Sequence, residues 1–228
     1  MNTTRTIIFA LLVSTAGVSH ARITRGGSAW LAVGSAHLET GGISDYLTAQ
    51  GYPEIPRSAF SIGGGGHGIV GRRILLGGEF VGVVAEDSRN EIGRTSGIAG
   101  YGFPHLGYIA WANDRLLVYP QIGLGIAGAQ VDISDNTGAK TRLMMASVVL
   151  DLGLGTEFVI PFNRGHGRGI GGAVIGVRAG YAVALRRSTW QLDDDLRSLP
   201  LSGVPPGAGM AGPYIRVIIG GGWFRIDD

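Results

Sequence analysis

Residues 148–158 read VVLDLGLGTEF, and the alternation in this stretch decides the fold. In an extended chain successive side chains point to opposite sides, so Val148, Leu150, Leu152, Leu154 and Phe158 share one face. Val149, Asp151, Gly153, Gly155 and Glu157 share the other. A helix would scatter both sets around its axis. The same period recurs upstream, where Val118, Pro120, Ile122, Leu124 and Ile126 alternate with Tyr119, Gln121, Gly123, Gly125 and Ala127. Farther on, Ile175, Val177, Tyr181, Val183 and Leu185 oppose Gly176, Arg178 and Gly180, and Ile215, Val217, Ile219 and Trp223 oppose Arg216, Gly220 and Gly222. One face is aliphatic; the other is glycine with an occasional charge.

Carried along the chain, the pattern predicts eight strands, at 28–38, 58–70, 73–86, 95–111, 115–131, 144–160, 173–189 and 212–225. Their connections alternate in length. Residues 39–57, 87–94, 132–143 and 190–211 form the longer polar ones, whereas 71–72 and 112–114 are tight turns and 161–172 is a Gly-rich turn of intermediate length. If the first strand runs outward from the periplasm, every long connection falls outside, the asymmetry of transmembrane barrels. The first loop is expected to hold a short helix, with Ser44 as N-cap, Asp45 in its first turn, and Gly51 and Pro53 as its stop.

Composition decides which face points outward. Of 228 residues 41 are Gly, 16% are charged and 45% hydrophobic, and the mean hydropathy is +0.24. Ordinary soluble domains have about 7% Gly and about 25% charged residues. The glycine-bearing faces cannot supply the dispersed charges of a solvated exterior. The aliphatic faces are therefore expected to meet lipid, in an all-β, eight-stranded antiparallel up-and-down transmembrane β-barrel whose closure satisfies every strand N–H and C=O. Glu79, Asp151, Glu157, Arg178 and Arg216 then fall inside a narrow lumen as a charge network, with Asp151, Glu157 and Glu79 the anions for the two arginines. Trp30, Tyr108, Trp111, Tyr119, Trp190, Tyr214 and Trp223 lie near strand ends, where aromatics form interfacial girdles.

Residues 1–21 read as a signal peptide: Arg5, an apolar run at 6–13, then Ser19-His20-Ala21 with small residues at the cleavage positions. The remainder, 22–228, reads as a single outer-membrane β-barrel domain. Without cysteine no disulfide contributes to its stability. Over roughly 28–226 the chain resembles the small eight-stranded bacterial outer-membrane barrel proteins, a likeness of pattern and strand count carried by 119–130, 148–157 and 214–224. The resemblance implies location in the cell outer membrane, with outer-membrane lipid and the insertion machinery as partners. Members usually end in an aromatic residue that this machinery reads; here Trp223-Phe224 is followed by Arg225-Ile226-Asp227-Asp228.

Motifs for other chemistry lack their context. Residues 63–68 and 123–128 both match G-x-G-x-x-G, but neither opens a helix in a βαβ unit, so no cofactor is expected. The single lysine, Lys140, follows Ala139 and so completes no phosphate-binding loop. Nineteen basic residues against 17 acidic ones leave no excess for nucleic acid. Ser35, His37 and Glu39 share one face of the first strand and are the catalytic candidates for a lipid-modifying hydrolase. Residues two apart stand about 6.6–6.8 Å apart along a strand, too far for an unaided Ser–His hydrogen bond. Asp193, Asp194 and Asp195 are the metal candidates, without EF-hand spacing around them. The expected role is structural or surface-interacting, with no open pore and an unidentified external partner. A lipid-modifying hydrolase and a soluble periplasmic ligand-binding barrel are the alternatives.

Overall fold

The computed structural model describes residues 23–163, 169–187, 190–194, 197–200 and 211–226. The signal-peptide assignment at 1–21 lies outside them. Eight long strands carry the fold: β1 (Ile23–His37), β2 (Ser58–Val70), β3 (Ile74–Ala85), β5 (Gly93–Tyr108), β7 (Leu116–Asp135), β8 (Lys140–Asn163), β9 (Gly169–Arg187) and β12 (Gly212–Ile226). Each pairs antiparallel with the next, and β12 pairs back onto β1, from Ile23 opposite Ile226 to Ala36 opposite Tyr214. The sheet is a closed eight-stranded barrel. Four short strands extend it: β4 (Ser88–Arg89), β6 (Trp111–Ala112), β10 (Gln191–Asp194) and β11 (Arg197–Pro200).

The two faces fall as the alternation predicts. Leu31, Phe60, Phe80, Leu124, Ile126, Leu154, Ile175 and Ile219 are exposed on the outside, while the intervening residues fill the lumen. On β5 the outward apolar run extends from Ile98 to Tyr108 and on β7 from Val118 to Ile126, close to the roughly 9–11 residues with which a tilted strand crosses a bilayer. On β8 the outward face is apolar from Phe162 up to Met144 except at Thr156. Above these runs the outward positions turn polar, to Ser96 and Arg94 on β5, Gln130 and Asp132 on β7, and Arg142 on β8.

Glycine inside the barrel makes room for rings. A methyl at Gly155 would stand 2.4 Å from Tyr119 Cζ, and one at Gly123 2.3 Å from Phe103 Cδ2. The lumen is layered. An apolar cluster including Val83, Val131, Leu143, Met145 and Trp190 fills the end nearer α1 (Gly41–Ala49), a second including Leu75, Leu117, Val174 and Phe224 fills the end that carries the chain termini, and polar side chains lie between. Helix α1 sits over the first cluster and buries Ile43 and Leu47 in it.

Three expectations need correction. Residues 132–143 are not a long loop, because β7 and β8 continue past the apolar belt to a tight turn at 136–139. The Asp135 carboxylate closes that turn, accepting from the Thr137 hydroxyl at 2.7 Å and from the Thr137 and Ala139 N–H groups at 2.9 Å each. The Thr137 hydrogen bond, then these backbone donors, holds the carboxyl below its usual range. Secondly, α1 starts after Thr40, not Ser44, which lies inside the helix with its Oγ accepting the Ile55 N–H at 3.3 Å. Apolar docking of Ile43 overrides the cap preference of Ser44. Thirdly, Trp30, Tyr119, Trp190 and Tyr214 are buried inside and belong to no girdle; Tyr108, Trp111 and Trp223 face outward.

Candidate functional site: the polar layer of the lumen

The polar layer draws on all eight long strands. Arg178 of β9 and Arg216 of β12 are direct cross-strand neighbours, both pointing inward and both 1% exposed. Two like charges so placed repel unless an anion joins them. Glu79 does so from β3, which stands diametrically opposite β9 in the strand order. Its Oε1 accepts from Arg216 Nη1 at 2.7 Å, and its Oε2 accepts from Arg178 Nη1. One carboxylate thus bridges two guanidiniums across the full width of the barrel.

The other two acids serve differently from the expected ion pairs. Glu157 accepts from the Tyr119 hydroxyl at 2.5 Å and from Ser28 Oγ at 2.8 Å. Asp151 accepts from the Tyr214 hydroxyl at 3.0 Å and from Gln121 Nε2 at 3.3 Å. Neither forms a direct ion pair with an arginine among the described residues. The reason is reach: a β8 side chain stands beside β9, while an arginine extended across the lumen ends at the far wall. Arg178 Nη2 meets the layer's second half through the Tyr119 hydroxyl, at 3.1 Å, and Arg216 Nη2 donates to the Tyr101 hydroxyl.

Aromatic rings complete the enclosure. The Arg178 guanidinium lies 4.1 Å from the Trp30 ring centre and that of Arg216 3.9 Å from the Tyr214 ring centre. These distances suit cation–π attraction, which strengthens when both partners are removed from water. His67 and His105 pack edge to face, 6.1 Å apart, beside Trp30. Neither histidine is among the lumen residues expected from the sequence. Their parity with Ile69 on β2 and with Tyr101 and Phe103 on β5 is the signal that places them there.

Ser28, His67 and Glu157 meet, but without the arrangement of a catalytic triad. His67 Nε2 faces both Ser28 Oγ at 3.3 Å and Glu157 Oε1 at 3.4 Å, and Nδ1 has no partner. A triad needs serine and acid on opposite ring nitrogens, with the serine hydroxyl donating to the base. Here that hydroxyl donates to the acid. Among the described residues no group of three or more His, Asp or Glu is placed to hold a metal ion.

The remaining candidates lie elsewhere. Ser35 and His37 are exposed on the outer face of β1, without a hydrogen bond between them, and Glu39 accepts from the Tyr181 hydroxyl at 3.1 Å. The backbones of Asp193 and Asp194 pair with Ser198 and Arg197 in the β10–β11 hairpin. Their side chains, and all of Asp195, lie outside the described residues.

No protein-family model matches the sequence, nor does any curated protein. Among solved structures the chain is similar to Ail, the attachment invasion locus protein of Yersinia pestis. To its crystal structure the chain has 13% identity and a TM-score of 0.45, covering 89% of this chain and 99% of that one. To the structure of Ail in complex with the heparin analogue sucrose octasulfate it has 12% identity and a TM-score of 0.44, with the same coverage. The barrel described above rests on this chain's own strand pairings.

Proposed function

We propose that this protein is an integral outer-membrane barrel with a packed, non-conducting lumen, and that it holds a rigid external sheet for surface interaction. The observation that carries this reading is the reversal of the usual order: aliphatic side chains cover the outside while arginines and carboxylates are sealed inside. In water the outside would be a large apolar surface, and in lipid it needs no cover. A soluble ligand carrier would require the opposite arrangement. The external sheet is the continuation of β5, β7 and β8 above the apolar belt, joined by β4, β10 and β11. An eight-stranded interior is just filled by side chains, and the two apolar clusters close both ends of this one.

The test is location and topology together. The mature chain should stay with the membrane through carbonate and urea washes, and protease on intact cells should cut within 39–57 and 190–211 while the turn at 71–72 survives. Recovery from the soluble periplasm would overturn the membrane reading, and cleavage at 71–72 in intact cells would reverse the orientation.

A further inference from the structure

The end of the barrel that carries both chain termini collects arginine. Arg25 of β1 stands directly opposite Arg225 of β12 on the outer face, Arg72 and Arg73 form the β2–β3 turn, and Arg115 ends the β5–β7 connection. Against these five arginines, the side chains described at this end include one acid, Asp114. They occupy a continuous arc from β12 through β1, β2, β3 and β5 to β7. At the external end the balance is opposite, with eight carboxylates against five cations among the described side chains, Glu86, Asp87 and Glu91 close together.

Arg25, Arg72 and Arg115 are exposed around this rim, and cations so gathered attract a layer of anions. Aromatics place that layer at this height. Tyr108, Trp111 and Trp223 are exposed outward here, as residues at a membrane interface are. Arg73 lies over Tyr108, donating to its hydroxyl at 3.0 Å with the guanidinium 5.9 Å from the ring centre. The arginine heads thus extend from the aromatic girdle to the level of lipid phosphates, whose oxygens a guanidinium fork matches in pairs.

We propose that this rim is a docking surface for anionic phospholipid headgroups, and that Arg25, Arg72 and Arg115 are its principal phosphate contacts. The inference rests on the membrane-barrel reading and adds the lipid class and the residues that select it. Anionic lipid attracts such side chains by about 1 kcal/mol each near a charged surface.

The protein contains its own reporters. Trp111 and Trp223 are 38% and 54% exposed at this rim, whereas Trp30 and Trp190 are 4% and 2% exposed inside. The full mature chain is refolded into phosphatidylcholine vesicles containing a minor fraction of phosphatidylglycerol, with bromine on the acyl chains of either lipid. At equal bromine content, brominated phosphatidylglycerol should quench the tryptophans at least about twofold more strongly. The ratio should fall toward one at high salt and in the triple variant Arg25→Gln/Arg72→Gln/Arg115→Gln, and stay high in Arg57→Gln/Arg89→Gln at the other end. Equal quenching by the two lipids in the unaltered protein, or a preference that survives the triple substitution, overturns the proposal while leaving the barrel standing. A chain that gives no heat-shifted band on gels after refolding into vesicles overturns the barrel reading, and the docking surface with it.

Discussion

Two ion pairs of nearly equal length behave as different objects in this molecule. Arg216 Nη1 lies 2.7 Å from Glu79 Oε1 in the lumen, with both side chains 0% exposed; Arg142 Nε lies 2.9 Å from Asp132 Oδ1 on the external sheet, with side chains 50% and 44% exposed. Geometry alone would rank them together. The solvent separates them, because water and salt screen the outer pair while the inner charges have only each other and the rings. A buried pair can contribute little to stability and still be costly to break. The lumen pair is therefore a constraint on what the interior tolerates, and the surface pair a minor adjustment.

The comparison fails or sharpens at named positions. Glu79→Gln removes the carboxylate shared by Arg178 and Arg216 and should have the largest effect, at the upper end of the about 3–5 kcal/mol seen for breaking buried pairs. Urea unfolding in vesicles, read by the gel shift of the folded form, measures it. Arg216→Met should cost toward the lower end of that about 3–5 kcal/mol range, since Glu79 retains Arg178 and the methionine still packs on Tyr214. If Arg216→Met and Arg89→Met moved the midpoint equally, the lumen would not be the closed environment described.

A smaller effect is expected from Gly155→Ala. Its methyl would meet the Tyr119 ring at 2.4 Å and displace a hydroxyl that joins Arg178 to Glu157. Overpacking of this kind costs about 1–3 kcal/mol. The paired substitution Gly155→Ala/Tyr119→Leu should recover most of the loss caused by the methyl; no recovery would show that the glycine serves the backbone instead. Last, Arg142→Met should shift the midpoint by no more than about 1 kcal/mol, and less in high salt. A larger shift would mean that the external sheet bears on the barrel's stability.

The strands, their parity and the burial of five charges were legible because a period of two survives in any register. Val148 and Val149 face opposite ways whatever stands beside them. What was not legible depends on distance around the ring. That Glu79 meets both arginines follows from β3 lying four strands from β9 by either route, which no local pattern records. The turn at 136–139 was hidden for a related reason: above the apolar belt the outward face of β7 becomes Gln130, Asp132 and Ser134, so a continuing strand reads as loop. Trp30 and Tyr214 differ in kind. Leu31 and Ile215 beside them face outward, and that parity directs both rings into the lumen in spite of their proximity to strand ends.

The bridge at Glu79 also orders events in time. It joins residues 137 apart to Arg216 and 99 apart to Arg178, and Arg216 belongs to the strand that closes the ring against β1. Contacts so distant along the chain form only after the intervening loop entropy has been lost. Until β12 arrives, Glu79 lacks Arg216 and its carboxylate has only one of its two guanidiniums. The strand pairing that closes the ring is therefore also the step that completes the charge balance of the interior.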